Sequence, residues 1–482
     1  MTNLPPTLPE FASPFPEPVA ARRSGAGTVI AWIVIVVCVA AIAILPHRMK
    51  RAAAAAVRAA TNPTTAPAAV TPVEQIPGGQ LEVMARYAVA VKHLSDRASA
   101  TTAPAVPTDS FINQLDRVAA DNPIDQFRVI PVAGELLGPA DALARLDRFE
   151  KAHAVVRLRG DVDALRVIYT KGPDALASDR ARMLISRHHW FGELAVSSGL
   201  PASDPRRAAA LEPARRTLVV LGAGFLLLGV LGVAGLVLAT VAIVLLAKGR
   251  LRRRFAPPTP WTAGPLVEAF ALYLVGMIGL SLLLQRFYPT GHEIAPNFVI
   301  FVLLPIALIY LRLRGIPWRD VTAAVGWTTG HGALREMGAG VVGYVAGLPL
   351  LAIGYVLTYV LVWITGNVPT HPITEMPTDQ SSAVVSLFLL AAVGAPIVEE
   401  TMFRGALFAH LRNRLGWWIS APVVSLIFAA IHPQGWVAIP MLGAIALVLA
   451  ALREWRGSLI APMTAHALNN AAAVLVMILV TR

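Results

Sequence analysis

The 482-residue sequence predicts an all-α, polytopic membrane helix bundle of about nine spans, with a small helical soluble domain between spans 1 and 2. Three observations carry this prediction. Hydrophobic residues make up 56% of the chain and charged residues only 15%, where a soluble protein is nearer a quarter charged; mean hydropathy is +0.61. Apolar runs of about 20 residues, the length that crosses a bilayer as a helix, recur through the second half. The arginines cluster beside those runs, so the net charge of +12 reads as membrane topology and not as a nucleic-acid-binding stripe. The one cysteine, Cys38, lies in the first apolar run, which excludes intrachain disulfides and Cys-rich zinc sites.

In chain order, residues 1–27 are proline-rich, lack hydrophobic periodicity and read as a disordered tail. Thr28–Leu45 is an unbroken apolar segment, longer than the roughly 7–15 residues of a signal-peptide core, so an uncleaved anchor helix is expected. The Ala52–Ala56 run beyond it keeps cleavage open. Residues 48–216 are the long hydrophilic block. Ala/Pro-rich linkers fall at 52–72 and 98–107, helical patterns at Gln80–Asp96, Ser110–Ala120, Pro139–Ala152 and Asp174–Ser197, and a strand-like piece at Ala154–Leu158. His188-His189-Trp190 reads as packing or surface histidines, because consecutive side chains diverge on a helix and no third ligand is evident.

From Thr217 the pattern is membranous. The second span is Thr217–Ala247, which with its basic loop forms a unit at 217–254. Thr262–Leu284, Asn297–Leu311, Gly338–Ile364, Ser382–Val398, Trp417–Ile431, Trp436–Leu452 and Leu459–Val480 follow, within a unit at 260–482. Lys248, Arg250, Arg252, Arg253 and Arg254, then Arg312, Arg314, Arg319 and Arg335, then Arg404, Arg412 and Arg414, then Arg453 and Arg456 fall on alternate connections, while Thr365–Ser381 has no Lys or Arg. The positive-inside rule makes the first set cytoplasmic, places 48–216 outside and puts the N-terminus inside. Arg48, Lys50 and Arg51 oppose this, but long domains translocate largely regardless of charge. A multi-pass protein of the plasma (inner) membrane is expected.

Polar groups interrupt three of the last spans. Glu399-Glu400-Thr401-Met402-Phe403-Arg404 closes one apolar run, where a charge at mid-membrane costs roughly 2.5–3.5 kcal/mol and must find a partner, a cavity or a task. On a continuous helix Glu400 and Arg404 share a face, while Glu399 is turned about 100° away. Phe428 precedes His432 by one turn at the end of another span, and His466 and Asn470 share a face of the last. Each has a dull reading as an interfacial acid, a carbonyl-bonded histidine or interhelical glue worth under about 1–2 kcal/mol. Together, a glutamate, a histidine and a His–Asn pair on separate spans form a hydrolytic set. Hydrolysis needs a base to activate water and donors for the oxyanion; burial and a like-charged neighbour make a carboxylate a better base, and the doublet brings two carboxylates together.

Glu-Glu-x-x-x-Arg, Phe-x-x-x-His and His-x-x-x-Asn in this order resemble the CPBP intramembrane proteases, which include the CAAX prenyl proteases and the bacteriocin-processing or Abi proteins. The resemblance covers roughly 260–482 and is strongest from 382 to 475. It implies a multi-helix core with a cavity near the cytoplasmic side, a membrane-associated peptide or protein substrate, Glu399 and His432 activating water, and His466 with Asn470 stabilising the oxyanion. Glu400, Arg404 and Phe428 take supporting places. Prenylated CAAX proteins are a family possibility for the substrate. The competing reading is a non-catalytic relative acting in immunity, scaffolding or secretion. A transporter using Glu268 as an ion site is disfavoured, because no inverted repeat is evident; Glu268 reads as interfacial or helix-packed.

Two catalytic designs fit these residues. Glu399, His432 and His466 could form a His₂Glu zinc site with an open position. Alternatively there is no metal cofactor and the glutamate activates water directly. The second is favoured, since the compact His-Glu-x-x-His spacing is missing and Asn470 suits an oxyanion role for His466.

Overall fold

The computed structural model describes residues 25–42, 79–97, 108–120, 122–153, 158–287, 294–367, 369 and 381–481. The expected tail up to residue 24, both Ala/Pro linkers, residues 154–157 of the strand-like piece, Arg48, Lys50 and Arg51, and most of the loop before Ser381 lie outside them. Among the described residues every regular element is helical. Helix α1 is Gly25–Ile42, starting three residues earlier than expected.

The soluble domain is a packed set of short helices: α2 (Gly79–Arg97), α3 (Thr108–Ala119), α4 (Pro123–Leu136), α5 (Pro139–Ala152), α6 (Arg159–Lys171), α7 (Ser178–His188) and α8 (Trp190–Val196). On α3, Ile112, Leu115 and Ala119 form the buried stripe that makes its pattern legible. Helix α4 shows no such stripe because Phe127–Gly134 is buried all round, although Asn122 caps it and Pro123 opens it. The run read as one helix over 174–197 is two, because His189 adopts φ 51° and turns the chain. That turn lets Gly192 pack directly on the backbone of Leu184 and Ile185. His188 is a packing histidine: its Nε2 lies 3.2 Å from Asp161 Oδ2 and its ring lies over Phe127.

Helix α9 (Pro205–Ala247) begins twelve residues before the expected span, capped by Asp204, which accepts from the Arg206 N–H at 2.8 Å. Its first turns belong to the domain. Arg207 pairs with Glu135, Ala210 O accepts from Trp190 Nε1 at 2.8 Å, and Ala214 joins the domain core. The boundary placed at 216/217 therefore runs through one continuous helix.

The membrane part comprises α10 (Pro260–Phe287), α11 (Ile294–Leu313), the short α12 (Trp318–Val325), α13 (Ala333–Thr365), a helical run from Ser381 to Arg414, α17 (Trp417–Ala430), α18 (Ile439–Arg456) and α19 (Ile460–Thr481). The run from Ser381 contains α14 (Ser381–Leu389), a π-helical turn Leu390–Gly394, α15 (Ala395–Glu400), a second π turn Thr401–Leu407 and α16 (Phe408–Arg414). Among the described residues six helices, α1 among them, are long and apolar enough to cross a membrane, and Phe301–Leu313, Trp417–Ala430 and Ile460–Val476 are shorter apolar helices. They coincide with the nine expected segments. The chain is an integral membrane protein.

Two arginines assigned to loops are not there. Arg404 lies ten residues before the end of its helical run and is wholly buried, and Arg453 is buried against the carbonyls of Arg404, Ala324 and Gly457. Both are held by hydrogen bonds inside the bundle, so neither reports topology. Arg250, Arg252, Arg253, Arg254, Arg312, Arg319 and Arg335 are exposed and still do.

Helix α1 is part of the bundle core. Ala31, Ile35 and Cys38 form its buried stripe. Trp32 Nε1 donates to His410 Nε2 at 3.2 Å, and Gly27 sits so close to the Glu268 carboxylate that a Cβ would overlap it. Glu268 itself is helix-packed, accepting from Tyr310 OH at 2.6 Å and pairing with Arg314 at 3.0 Å.

Candidate active site

The doublet sits where the helical run changes from α to π geometry. Such turns insert one residue into the ladder and are frequent at functional sites. Here the change coincides with the two carboxylates facing different surroundings. Glu400 is wholly buried, and its Oε1 accepts from Arg404 Nη1 and from His466 Nδ1, each at 2.9 Å. Arg404 Nη2 donates to Ala446 O at 3.1 Å, and its guanidinium lies 4.7 Å from the Phe428 ring centre. The expected Glu400–Arg404 pair is thus present, on one face and out of solvent.

Glu399 stands apart from that pair, with its side chain 21% exposed. Its Oε2 is 4.0 Å from His432 Nε2 and 3.8 Å from His466 Nε2, and among the described residues it has no hydrogen-bond partner. Both rings are oriented from behind. His432 Nδ1 donates to Phe428 O at 2.5 Å, and His466 Nδ1 donates to Glu400. A carbonyl and a carboxylate accept here, so each Nδ1 carries a proton, and each ring turns its Nε2 toward Glu399 Oε2.

Phe428 is the hub of this arrangement. Its ring packs edge-to-face on Phe403 at 5.0 Å, lies 4.3 Å from His432 and 6.0 Å from His466, and covers Arg404. Asn470 is less central than expected. Its Nδ2 donates to Ala391 O at 2.9 Å and its Oδ1 accepts from Asn469 Nδ2 at 3.3 Å, which ties α19 to the first π turn. One amide N–H remains for another acceptor.

Sequence reasoning missed two groups around the doublet. Thr401 Oγ1 accepts from Trp327 Nε1 at 2.9 Å, which fixes the loop after α12 beside the motif. Arg453 Nε donates to Arg404 O at 3.3 Å. A cation inside an apolar run was the available signal for Arg453; nothing in the sequence pointed to Trp327.

Tetrahedral zinc with ligands at about 2.0–2.1 Å sets neighbouring donors roughly 3.4 Å apart, and a water bonded to two acceptors at about 2.8 Å sets them roughly 4–4.6 Å apart. The observed 3.8 and 4.0 Å lie nearer the water spacing; to hold a metal the donors would have to draw in, and among the described residues no group of three such side chains is placed to hold one as it stands.

An all-helical membrane bundle enclosing a carboxylate–histidine centre is the class that fold and site define. Within it, residues 381–472 match the family model described as Rce1-like, type II CAAX prenyl endopeptidase Rce1-like. Over that stretch the chain is similar to the Rce1-like family, which agrees with the likeness to the CPBP proteases carried by the three motifs. The chain is similar to an uncharacterized 24.3 kDa protein of Escherichia coli, 33% identical over 129 residues, covering 25% of this chain and 59% of that protein. It is also similar to the uncharacterized protein YpbD of Bacillus subtilis (strain 168), 38% identical over 91 residues, covering 18% of this chain and 42% of that protein. The chain thus spans about half the length of these relatives. No solved structure matches it.

Proposed function

We propose that this protein is an intramembrane endopeptidase that hydrolyses a peptide bond of a membrane-associated polypeptide. The observation that carries the reading is the convergence of His432 Nε2 and His466 Nε2 on Glu399 Oε2, at 4.0 and 3.8 Å, where that oxygen has no hydrogen-bond partner among the described residues. A water placed among them is held by the two rings and the carboxylate, and Glu399 is positioned to take its proton as the oxygen attacks the scissile carbonyl. That proton then passes to the departing amine nitrogen. On its way that proton can rest at His466 Nε2, 3.8 Å from Glu399 and backed by Glu400 at the other ring nitrogen, where it faces the developing oxyanion alongside the remaining N–H of Asn470. His432, held by Phe428 O, orients the water. Glu400, Arg404 and Phe428 hold these groups in a dry wall, where charge interactions are stronger than in water.

In the metal-dependent variant, Glu399, His432 and His466 would hold a zinc ion whose Lewis acidity supplies the activation of water. The side chains behind the rings would serve the same orienting purpose.

The test compares purified wild type with Glu399→Gln on membrane peptides, with and without chelator. Hydrolysis should fall at least about 10²-fold, as for the loss of a general base. Near-normal turnover by folded Glu399→Gln refutes the assignment, and failure of the wild type to cleave any membrane peptide favours a non-catalytic role. Stoichiometric bound zinc, with activity lost on chelation and restored by zinc, moves Glu399 from base to ligand.

A further inference from the structure

Helix α10 runs antiparallel to the helical run that carries the glutamate doublet, and three contacts fix their register. Pro258 O, just ahead of α10, accepts from Asn413 Nδ2 at 2.6 Å. Ala263 O accepts from His410 Nδ1 at 2.6 Å. The Phe270 ring packs edge-to-face on Phe403 at 5.1 Å. One helical turn beyond Phe270 stands Tyr273, and one turn before Phe403 stand Glu399 and Glu400. Tyr273 is therefore level with the doublet. It also lies on the packed face of α10, three residues from Phe270, and is only 2% exposed.

Of the two carboxylates, it is Glu399 whose charge acts on the Tyr273 hydroxyl. Glu400 is taken up by Arg404 and His466. A phenylalanine would fill the place of Tyr273 with no polar atom to satisfy, whereas a buried phenol needs a hydrogen-bond partner. Glu399 has the complementary need. Its Oε2 is without a hydrogen-bond partner among the described residues, and the nearest ring nitrogens stand beyond hydrogen-bond distance at 3.8 and 4.0 Å. An acid that must be aimed at a water thus has a neutral donor at its own level, on a helix that none of the three sequence motifs includes.

We infer that Tyr273 is a positioning residue for Glu399, its hydroxyl donating to the carboxylate and holding it in the orientation that takes a proton from water. The inference rests on the hydrolytic reading for the task of Glu399, but the pairing of Tyr273 with Glu399 does not. Tyr273 acts through Glu399 and leaves substrate binding to other groups, so its loss is felt in the chemical step. The carboxylate is then fixed from α10, while the two histidines are fixed from behind by Phe428 O and Glu400.

Tyr273→Phe in the full chain removes the hydroxyl and keeps the ring. On a membrane peptide that the wild type cleaves, kcat should fall about 10–100-fold, the usual cost of losing a group that orients a reacting side chain, with KM unchanged. Full turnover, or a loss confined to KM, overturns the inference. A second measurement needs neither hydrolysis nor a folded Tyr273→Phe: a ring-fluorinated tyrosine at position 273 reports the surroundings of the hydroxyl by fluorine NMR. Glu399→Gln should shift that resonance, and Asp141→Asn, a charge change in the soluble domain, should leave it in place. A resonance that Glu399→Gln does not move overturns the inference even where Tyr273→Phe is slow, because the slowing then comes from altered packing. If the wild type cleaves no membrane peptide, the hydrolytic reading fails by itself, and the fluorine resonance still decides whether Tyr273 holds Glu399.

Discussion

Replacing Arg404 by methionine isolates what the buried ion pair contributes. The substitution keeps the length and apolar stem but removes the guanidinium from Glu400, Ala446 O and the Phe428 face. Glu400 is then a wholly buried carboxylate left with the His466 ring as its hydrogen-bond partner. Breaking a buried pair from one side costs about 3–5 kcal/mol, because the other charge stays desolvated. Glu400→Gln made in the same chain removes that charge, so the double variant Glu400→Gln/Arg404→Met should recover at least about 2 kcal/mol of the loss, a coupling typical of contacting groups. Reversible unfolding in mixed detergent–SDS micelles measures all four proteins. If the two single losses add to within about 0.5 kcal/mol of the double, the pair is not coupled and the account of the site's inner wall is wrong.

Further expectations concern parts away from the doublet. Burial opposes ionisation of Glu135, but hydrogen bonds from His93 and Arg207 prevail and hold its carboxyl at about 2. The depressed value means a stabilisation complete above the ordinary value near 4.5 and lost as pH falls through about 2, amounting to about 3 kcal/mol. Pepsin susceptibility of the domain should therefore rise over that acid window and be flatter in Glu135→Gln; matching acid profiles would exclude the linkage. Gly235→Leu drives a side chain into Val345 O and should lower unfolding stability by about 1–3 kcal/mol through separation of α9 from α13, with an unchanged midpoint counting against that close contact. Trp32→Ala removes the indole that donates to His410, so buried Cys38 should react several-fold faster with a permeant maleimide, and equal rates would show that α1 docks by other contacts.

What the sequence determined by itself follows from period and polarity. Nine apolar segments, the all-helical class, the Glu400–Arg404 pair and the membership of Glu399, His432 and His466 in one site were legible, because hydrophobic length and four-residue spacing act locally. Helix α4 was not legible, since a helix buried all round has no polar face to reveal its period. Nor was the reach of α9 into the domain, because Pro205 to Arg216 is polar where it meets Glu135 and Trp190, and apolar only lower down. Tertiary structure alone decided that Arg404 and Arg453 are internal, that Asn470 is tied to the first π turn, and that α1 belongs to the core. The division of the doublet was legible, since Glu400 shares a helix face with Arg404; what tertiary structure added is the second claim on Glu400, by a histidine 66 residues away. Spacing fixes which side chains share a helix face, whereas which face meets which neighbour is set by close packing between helices distant in the chain.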